Sequence, residues 1–423
     1  MSTQQHILMT RLNTRTFIIY FLAVSVALPI GFISLAKVLL LLCALTVITQ
    51  KWIGRAGSPP FLTGTGLTTP LVLLIIVIFS VSGLWSSGST DDVLSTITKY
   101  GKLLLIPALL GLIRTRREAL IALTCFIAGQ VFLLTSTWLI FISVPIPWAN
   151  SAVPAMTYAV FSSYLDQSIM TAVLAALCWH LRSYAPVRYQ TLVSAVVSAL
   201  ALVCVFFIFQ GRSGHVIAIA LLTLTIFWWM PKKLHILALA LPFVIGALLF
   251  TTSDKVRNGL AEITSSTAAF QQTGDISSPS SIRLNFWHRA AQSITESPWR
   301  GHGAGSWNQQ FNQLEAQYAP QTFIASTGNP HQEYLLWGVQ LGLPGILLLG
   351  ALLLALYLDS QQLEAPARRA LQSVLVALAL ACLFNSTLYD ALIGDFFCVA
   401  LALMLALRTP ASPASPATAP SRL

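Results

Sequence analysis

A chain of 423 residues in which 56% of side chains are hydrophobic and 9% are charged departs sharply from the roughly 25% charged content of soluble domains. Its net charge of +10 would suit a nucleic-acid binder. However, the Lys and Arg recur in short clusters between apolar runs, which excludes one basic face and fits an integral membrane protein under the positive-inside rule.

Twelve runs approach the 20 or so mostly apolar residues that a membrane span needs. In chain order they cover 16–31, 33–50, 70–87, 99–114, 119–145, 163–181, 189–209, 213–230, 234–252, 332–357, 368–387 and 391–408. Arg11 and Arg15 ahead of the first run resemble the start of a signal peptide. A second apolar run follows at once, so the segment reads as an uncleaved anchor. The first two runs are short enough to form a re-entrant pair instead. All six cysteines (Cys43, Cys125, Cys178, Cys204, Cys382 and Cys398) fall inside apolar runs without metal-ligand spacing. They read as small packing residues, not as a disulfide framework.

Placing the N-terminus in the cytoplasm puts 15 of the 24 Lys and Arg on inside segments, at least two in each. Both termini are then cytoplasmic. Trp228 and Trp229 beside Lys232 and Lys233 read as part of an interfacial belt. The expected organisation is transmembrane helices 1–9 over residues 1–252, a long outer loop with helical segments over 253–331, transmembrane helices 10–12 over 332–408, and a Pro/Ala/Ser-rich disordered tail over 409–423. A loop as long as 253–331 inside a compact protein is usually functional. The sequence has no P-loop and no dinucleotide fingerprint. Chemistry on the outer side would draw its energy from the substrate.

The candidate residues all lie on that outer side. Arg212, in Gln210-Gly211-Arg212-Ser213-Gly214-His215, is an arginine in a short outer turn where the charge bias disfavours one. Flanking glycines let backbone approach a ligand, so an anion site is expected; an ordinary loop cation is the plain alternative. Arg283 follows the helix-start signal Ser278-Pro279-Ser280-Ser281, with Ile282, Phe286, Ala290 and Ile294 as an apolar stripe and Trp287 one turn on. An Arg in a helix's first turn adds to the free N–H groups there and favours phosphate. His331, in Asn329-Pro330-His331-Gln332-Glu333-Tyr334-Leu335, is expected in the first turn of a helix at the membrane surface, able to accept a proton. His215, His288 and His302 share its side and compete for that role. Asp390 at the last outer turn could orient a His, pair with an Arg, or be a solvated acid. Gly301-His302-Gly303-Ala304-Gly305 is a weak signal, since glycines also serve plain turns. No outer carboxylates have metal-site spacing, so no metal is expected.

Together Arg212-Ser213-Gly214, the Arg283–Trp287 spacing, Gly301–Gly305 and His331-Gln332-Glu333-Tyr334-Leu335 resemble the O-antigen ligase and polymerase superfamily of bacterial envelope glycan synthesis. Gln332 stands where Asn is more usual in the last motif. The resemblance implies an all-α glycosyltransferase of GT-C architecture in the bacterial inner membrane, with its site facing the periplasm and no cofactor. For a ligase it implies a glycan on undecaprenyl pyrophosphate as donor, a sugar hydroxyl of lipid A–core as acceptor, membrane lipids as surroundings and no nucleic acid. It makes His331 the base and Arg212 and Arg283 the pyrophosphate binders, with Asp390, Tyr334, Trp287 and His302 as supporting candidates. A polymerase of the same superfamily is the nearest rival. A lipid or solute transporter is a rival of another class, disfavoured because few ionisable residues (Lys37, Lys102, Asp166 and Asp395) fall within spans.

Overall fold

A computed structural model of the chain describes residues 13–52, 66–149, 157–252, 254–274, 276–319, 324–326 and 328–408. Arg11, Arg55 and the 409–423 tail with Arg422 lie outside the described residues. Among the described residues every regular element is helical. The chain begins with α1 (Thr14–Ser25), α2 (Ile30–Trp52) and α3 (Thr68–Ser82). It continues through α4 (Thr90–Tyr100), a 3-10 turn and α5 (Leu105–Leu112), then α6 (Arg116–Phe141), α7 (Tyr164–His180) and α8 (Gln190–Val203). A π-helical turn, Cys204–Ile208, leads to α9 (Arg212–Trp229) and α10 (His235–Thr252). The long loop folds as α11 (Asp254–Thr273), α12 (Pro279–Glu296) and α13 (Trp307–Tyr318), and α14 (Glu333–Leu341) follows it. The chain ends with α15 (Leu343–Ser360), α16 (Ala365–Phe384) and α17 (Ala391–Leu405).

Among the described residues, eight helical segments are long and apolar enough to cross a membrane: Ile30–Gln50, Thr68–Trp85, Thr90–Leu112, Arg116–Phe141, Gln190–Ile208, Arg212–Trp229, Leu343–Ser360 and Ala365–Phe384. Their outer faces show bare Phe32, Leu42, Leu74 and Leu192, as a lipid solvent allows. α1 and α17 are apolar but have only 12 and 15 residues. At 1.5 Å per residue they reach about 18 and 22 Å, short of a hydrocarbon core of about 30 Å. α17 needs no lipid contact, because Ile393 to Leu405 are all buried by neighbouring helices. α7 is buried in the same way from Gln167 to Cys178. A helix apolar on every side is a core helix, and these two form the axis of the bundle.

Two expected boundaries change. The apolar run 332–357 is not one helix. Gly342 breaks it with φ 72 and ψ −161, and Leu343 N donates to Pro298 O at 2.7 Å. The span therefore starts at Leu343, with Pro344 in its first turn. α14 has nine residues and is too short to cross. The fourth run starts earlier than expected, at Thr90. The Ser89 hydroxyl caps it by accepting from Asp92 N at 3.1 Å, which makes Asp91 and Asp92 first-turn acids facing the positive end of the helix dipole.

The two described chain ends meet at one end of the bundle. There Arg15 grips Glu118 at 2.5 Å and donates to the Leu112 carbonyl. Arg116 binds Glu364 with both Nη atoms at 2.7 and 2.6 Å, and Arg408 meets Asp359 at 3.0 Å beside Thr68. The opposite end carries α11 to α14 and the candidate residues.

Candidate active site

His331 stands just before α14, not in its first turn. Gln332 is the N-cap, its side-chain oxygen accepting from Leu335 N at 2.6 Å. An amide at this position has a local task, and Asn and Gln can both perform it. His331 itself has φ 53, a left-handed backbone rare for a side-chain-bearing residue and worth roughly 1–2 kcal/mol of strain. Three contacts hold it there. Asn329 Oδ1 accepts from His331 N at 2.8 Å, the Trp287 indole N–H donates to Pro330 O at 3.1 Å, and the Phe286 ring stacks on the imidazole at 6.2 Å. Strain kept in place by several partners is a common mark of a functional position.

The imidazole Nδ1 lies 3.3 Å from Asn385 Oδ1. An amide oxygen can only accept, so Asn385 Oδ1 accepts a hydrogen bond from Nδ1–H and leaves the Nε2 lone pair available. Burial raises the Asp390 carboxyl above its ordinary range, against the opposing influence of His331, Lys102, Lys99 and the Asn385 amide. Asp166 at the start of α7 is within electrostatic reach of Asp390.

Two residues that the sequence did not assign to the site, Glu333 and Lys102, fix this turn. Glu333 is wholly buried and accepts four hydrogen bonds: Tyr100 Oη at 2.9 Å, Trp337 Nε1 at 2.8 Å, Leu388 N at 2.8 Å and Tyr389 N at 3.3 Å. It ties α14 to α4 and to the 385–390 turn, inside a cluster of Phe79, Tyr100, Trp337 and Tyr389 rings. Desolvation pushes its carboxyl up to about 7 despite those donors. Lys102 clamps the same turn from below, donating to the Asp390 carbonyl and to Ala391 O at 3.3 Å. Lys99 lies 3.8 Å over the Tyr389 ring. Glu333 stood inside the His331–Leu335 motif and Asn385 five residues before Asp390, but only the fold shows what each one holds.

Arg283 lies one residue beyond the first turn of α12, where a Ser278–Ser281 capping box engages the Ser278 and Ser281 N–H groups. Arg283 is half-buried and makes no hydrogen bond or ion pair among the described residues, one turn from Trp287. Arg212 opens α9 and pairs with Glu262 of α11 at 2.9 Å, both side chains well exposed. Its flanking glycines are packing residues: a Cβ on Gly211 would lie 2.7 Å from Ser168 Oγ, and one on Gly214 2.7 Å from Ser168 Cβ. They let α9 rest on α7, the helix that carries Asp166.

The remaining candidates brace the scaffold. Tyr334 donates to Ala379 O at 3.1 Å and pins α14 to α16. His302 Nε2 bonds Ser293 O at 2.9 Å while its backbone N–H bonds Val339 O, at the far end of α14 from His331. Seven residues of helix put it about 10 Å away. His215 Nδ1 lies 2.7 Å from Gly211 O, within its own helix start. The Gly301–Gly305 loop is structural. Gly301, Gly303 and Gly305 have φ of 63, 87 and 77, and a Cβ on Gly303 would lie 2.7 Å from Ser82 O. Among the described residues no three His, Cys, Asp or Glu side chains converge in a metal-binding group.

A family model described as O-antigen ligase matches residues 196–350. The matched stretch runs from α8 into α15 and contains Arg212, Arg283, Trp287, Gly301–Gly305 and His331; Asn385 and Asp390 lie beyond it. The match bears out the resemblance to the O-antigen ligase and polymerase superfamily. No curated protein matches the chain.

Proposed function

We propose that the protein is an O-antigen ligase of GT-C architecture, moving a glycan from undecaprenyl pyrophosphate to a sugar hydroxyl of lipid A–core at the periplasmic face of the bacterial inner membrane. The observation that carries this reading is the His331–Asn385 contact, which leaves Nε2 of a strained, well-braced histidine free to take a proton. In the reaction the acceptor oxygen attacks the anomeric carbon and its proton goes to His331 Nε2. The bond from the anomeric carbon to the phosphate oxygen breaks, and its electron pair leaves with undecaprenyl pyrophosphate. Arg212 and Arg283 bind that pyrophosphate and stabilise the charge growing on it, a task suited to guanidinium groups that stay charged. Binding at Arg212 displaces Glu262. One base and no covalent nucleophile give inversion at the anomeric carbon. The energy comes from the donor linkage, with neither nucleotide nor metal required.

The test mixes purified protein in lipid nanodiscs with lipid-linked glycan and lipid A–core, without nucleotide or added metal. Glycan transfer to lipid A–core is the expected outcome. Longer lipid-linked chains with unmodified lipid A–core would show a polymerase instead. His331→Ala should lower the transfer rate about 10²–10⁴-fold, the usual worth of a general base, while donor binding is retained. A wild-type rate in His331→Ala would remove His331 from the chemistry.

A further inference from the structure

Between α11, α12 and α13 lies a cavity of about 980 Å³, at the upper end of the roughly 300–1,000 Å³ range of ligand pockets. α12 builds one wall by helical spacing. It turns Phe286, Ala290 and Ile294 to the core and sets Leu284, His288 and Gln292, four residues apart, along the cavity. Phe270, Trp287 and Tyr318 bring three aromatic rings to the lining.

The floor is polar and buried. Arg289 and Glu315, with side chains 8% and 1% exposed, pair at 2.8 Å. Arg289 Nη1 donates to Gln292 Oε1 at 3.0 Å, and Asn285 Nδ2 donates to Glu315 at 3.1 Å. A buried ion pair is no better for stability than apolar packing of the same volume, so stability alone does not explain a charged floor under open space. The pair cancels its own charge, which disfavours an anion such as a phosphate. Its polarity disfavours an acyl chain. Planar guanidinium, carboxylate and amide groups beside aromatic faces match a neutral ligand with adjacent hydroxyls on one side and C–H groups on the other. That is the chemistry of a pyranose.

The cavity also has a defined place. Trp287 forms part of its wall, and the same indole N–H holds Pro330, the residue bonded to His331. We propose that this cavity is a saccharide subsite, seating a short oligosaccharide one side chain away from His331. Its place in a reaction rests on the glycan-transfer reading, whereas its capacity to bind sugar does not. The saccharide belongs either to the donor glycan or to the acceptor core.

The test uses the full chain in nanodiscs and two delipidated probes, O-polysaccharide fragments and core oligosaccharide, each titrated by saturation-transfer NMR and calorimetry. One probe is expected to bind; O-polysaccharide fragments would make the subsite the donor's, and core oligosaccharide the acceptor's. Tyr318→Ala and Gln292→Ala remove a partly exposed ring and a wall amide, and each should weaken that binding roughly tenfold, the worth of one stacking or hydrogen-bonding contact. His331→Ala should bind as the unmodified chain does. Binding that ignores both cavity variants, or no binding of either probe at millimolar concentration, overturns the subsite. Sugar binding that depends on Tyr318 in a protein unable to transfer glycan would leave the subsite standing and sink the ligase reading. Transfer with no dependence on Tyr318 or Gln292 would do the reverse.

Discussion

Asn385 decides which nitrogen of His331 is available. Its amide oxygen lies 3.3 Å from Nδ1 and can only accept, so the neutral ring carries its proton there. Replacing Asn385 by Ala removes the acceptor from Nδ1 and lets both the tautomer and the ring angle vary. Asn385→Ala should therefore lower kcat by about 10–100-fold, the usual loss when a residue that orients a reacting histidine is removed. The KM for donor should stay near its original value, because Asn385 orients the base and is not assigned to the donor. Steady-state kinetics with varied donor separate the two, and Asn385→Asp, which keeps an acceptor oxygen, should recover part of kcat. An unchanged kcat in Asn385→Ala would reduce Asn385 to a packing residue.

At the level of elements, the site depends on a short helix joined to a turn. α14 presents Gln332 as cap and Glu333 as buried acceptor, and Glu333 holds the Leu388 and Tyr389 amides of the 385–390 turn. Its carboxyl lies at about 7, above an ordinary Glu value of 4.5, because burial outweighs four donors. A carboxyl raised in the fold stabilises that fold fully below its ordinary value, and the stabilisation is lost as pH rises through the raised value. Thermal stability should therefore fall between about pH 5 and pH 8, by an amount on the order of 3 kcal/mol. Glu333→Gln, which cannot titrate, should start lower because one acceptor oxygen is gone, and should lose this slope. Equal slopes in melting series of the two proteins would show that Glu333 is not the group responsible.

The same elements show what the sequence could and could not reveal. The apolar runs were legible because a bilayer demands length and composition, and both are written along the chain. The α14–α15 break was not, since hydrophobicity continues through Trp337, Val339 and Leu341 and only the backbone of Gly342 ends the helix. The capping signal at Ser278-Pro279 placed α12 correctly, and Arg283 falls one residue past the first turn where it was expected. Gly211 and Gly214 looked like openings for a ligand, yet they accommodate Ser168 across a helix contact that no local pattern encodes. His331 and Asp390 were visible as residue types. Asn385, which contacts His331 Nδ1, became meaningful only when α16 brought it beside the strained turn.

For the whole molecule, the distribution of charge argues for one orientation. The end shared by α1 and α17 carries Arg15, Arg114, Arg116, Arg117, Arg182, Arg368, Arg369 and Arg408, opposed by Glu118, Asp359 and Glu364. The site end balances its cations more closely: Arg212 faces Glu262, Arg257 faces Asp254, and Arg289 faces Glu315. Surplus positive charge is retained on the cytoplasmic side during insertion, so the paired end is the one expected to translocate. Single cysteines test this directly. Thr295→Cys lies on the exposed end of α12, and Gln361→Cys lies in the exposed turn between α15 and α16. In spheroplasts, a membrane-impermeant maleimide should label Thr295→Cys at once and Gln361→Cys only after the membrane is opened, with the chain lacking both substitutions as background. The native cysteines are buried or half-buried in apolar helices and should contribute little. The opposite pattern would put His331, Arg212 and Arg283 in the cytoplasm, where nucleotide-sugar donors are available and a lipid-linked donor loses its rationale.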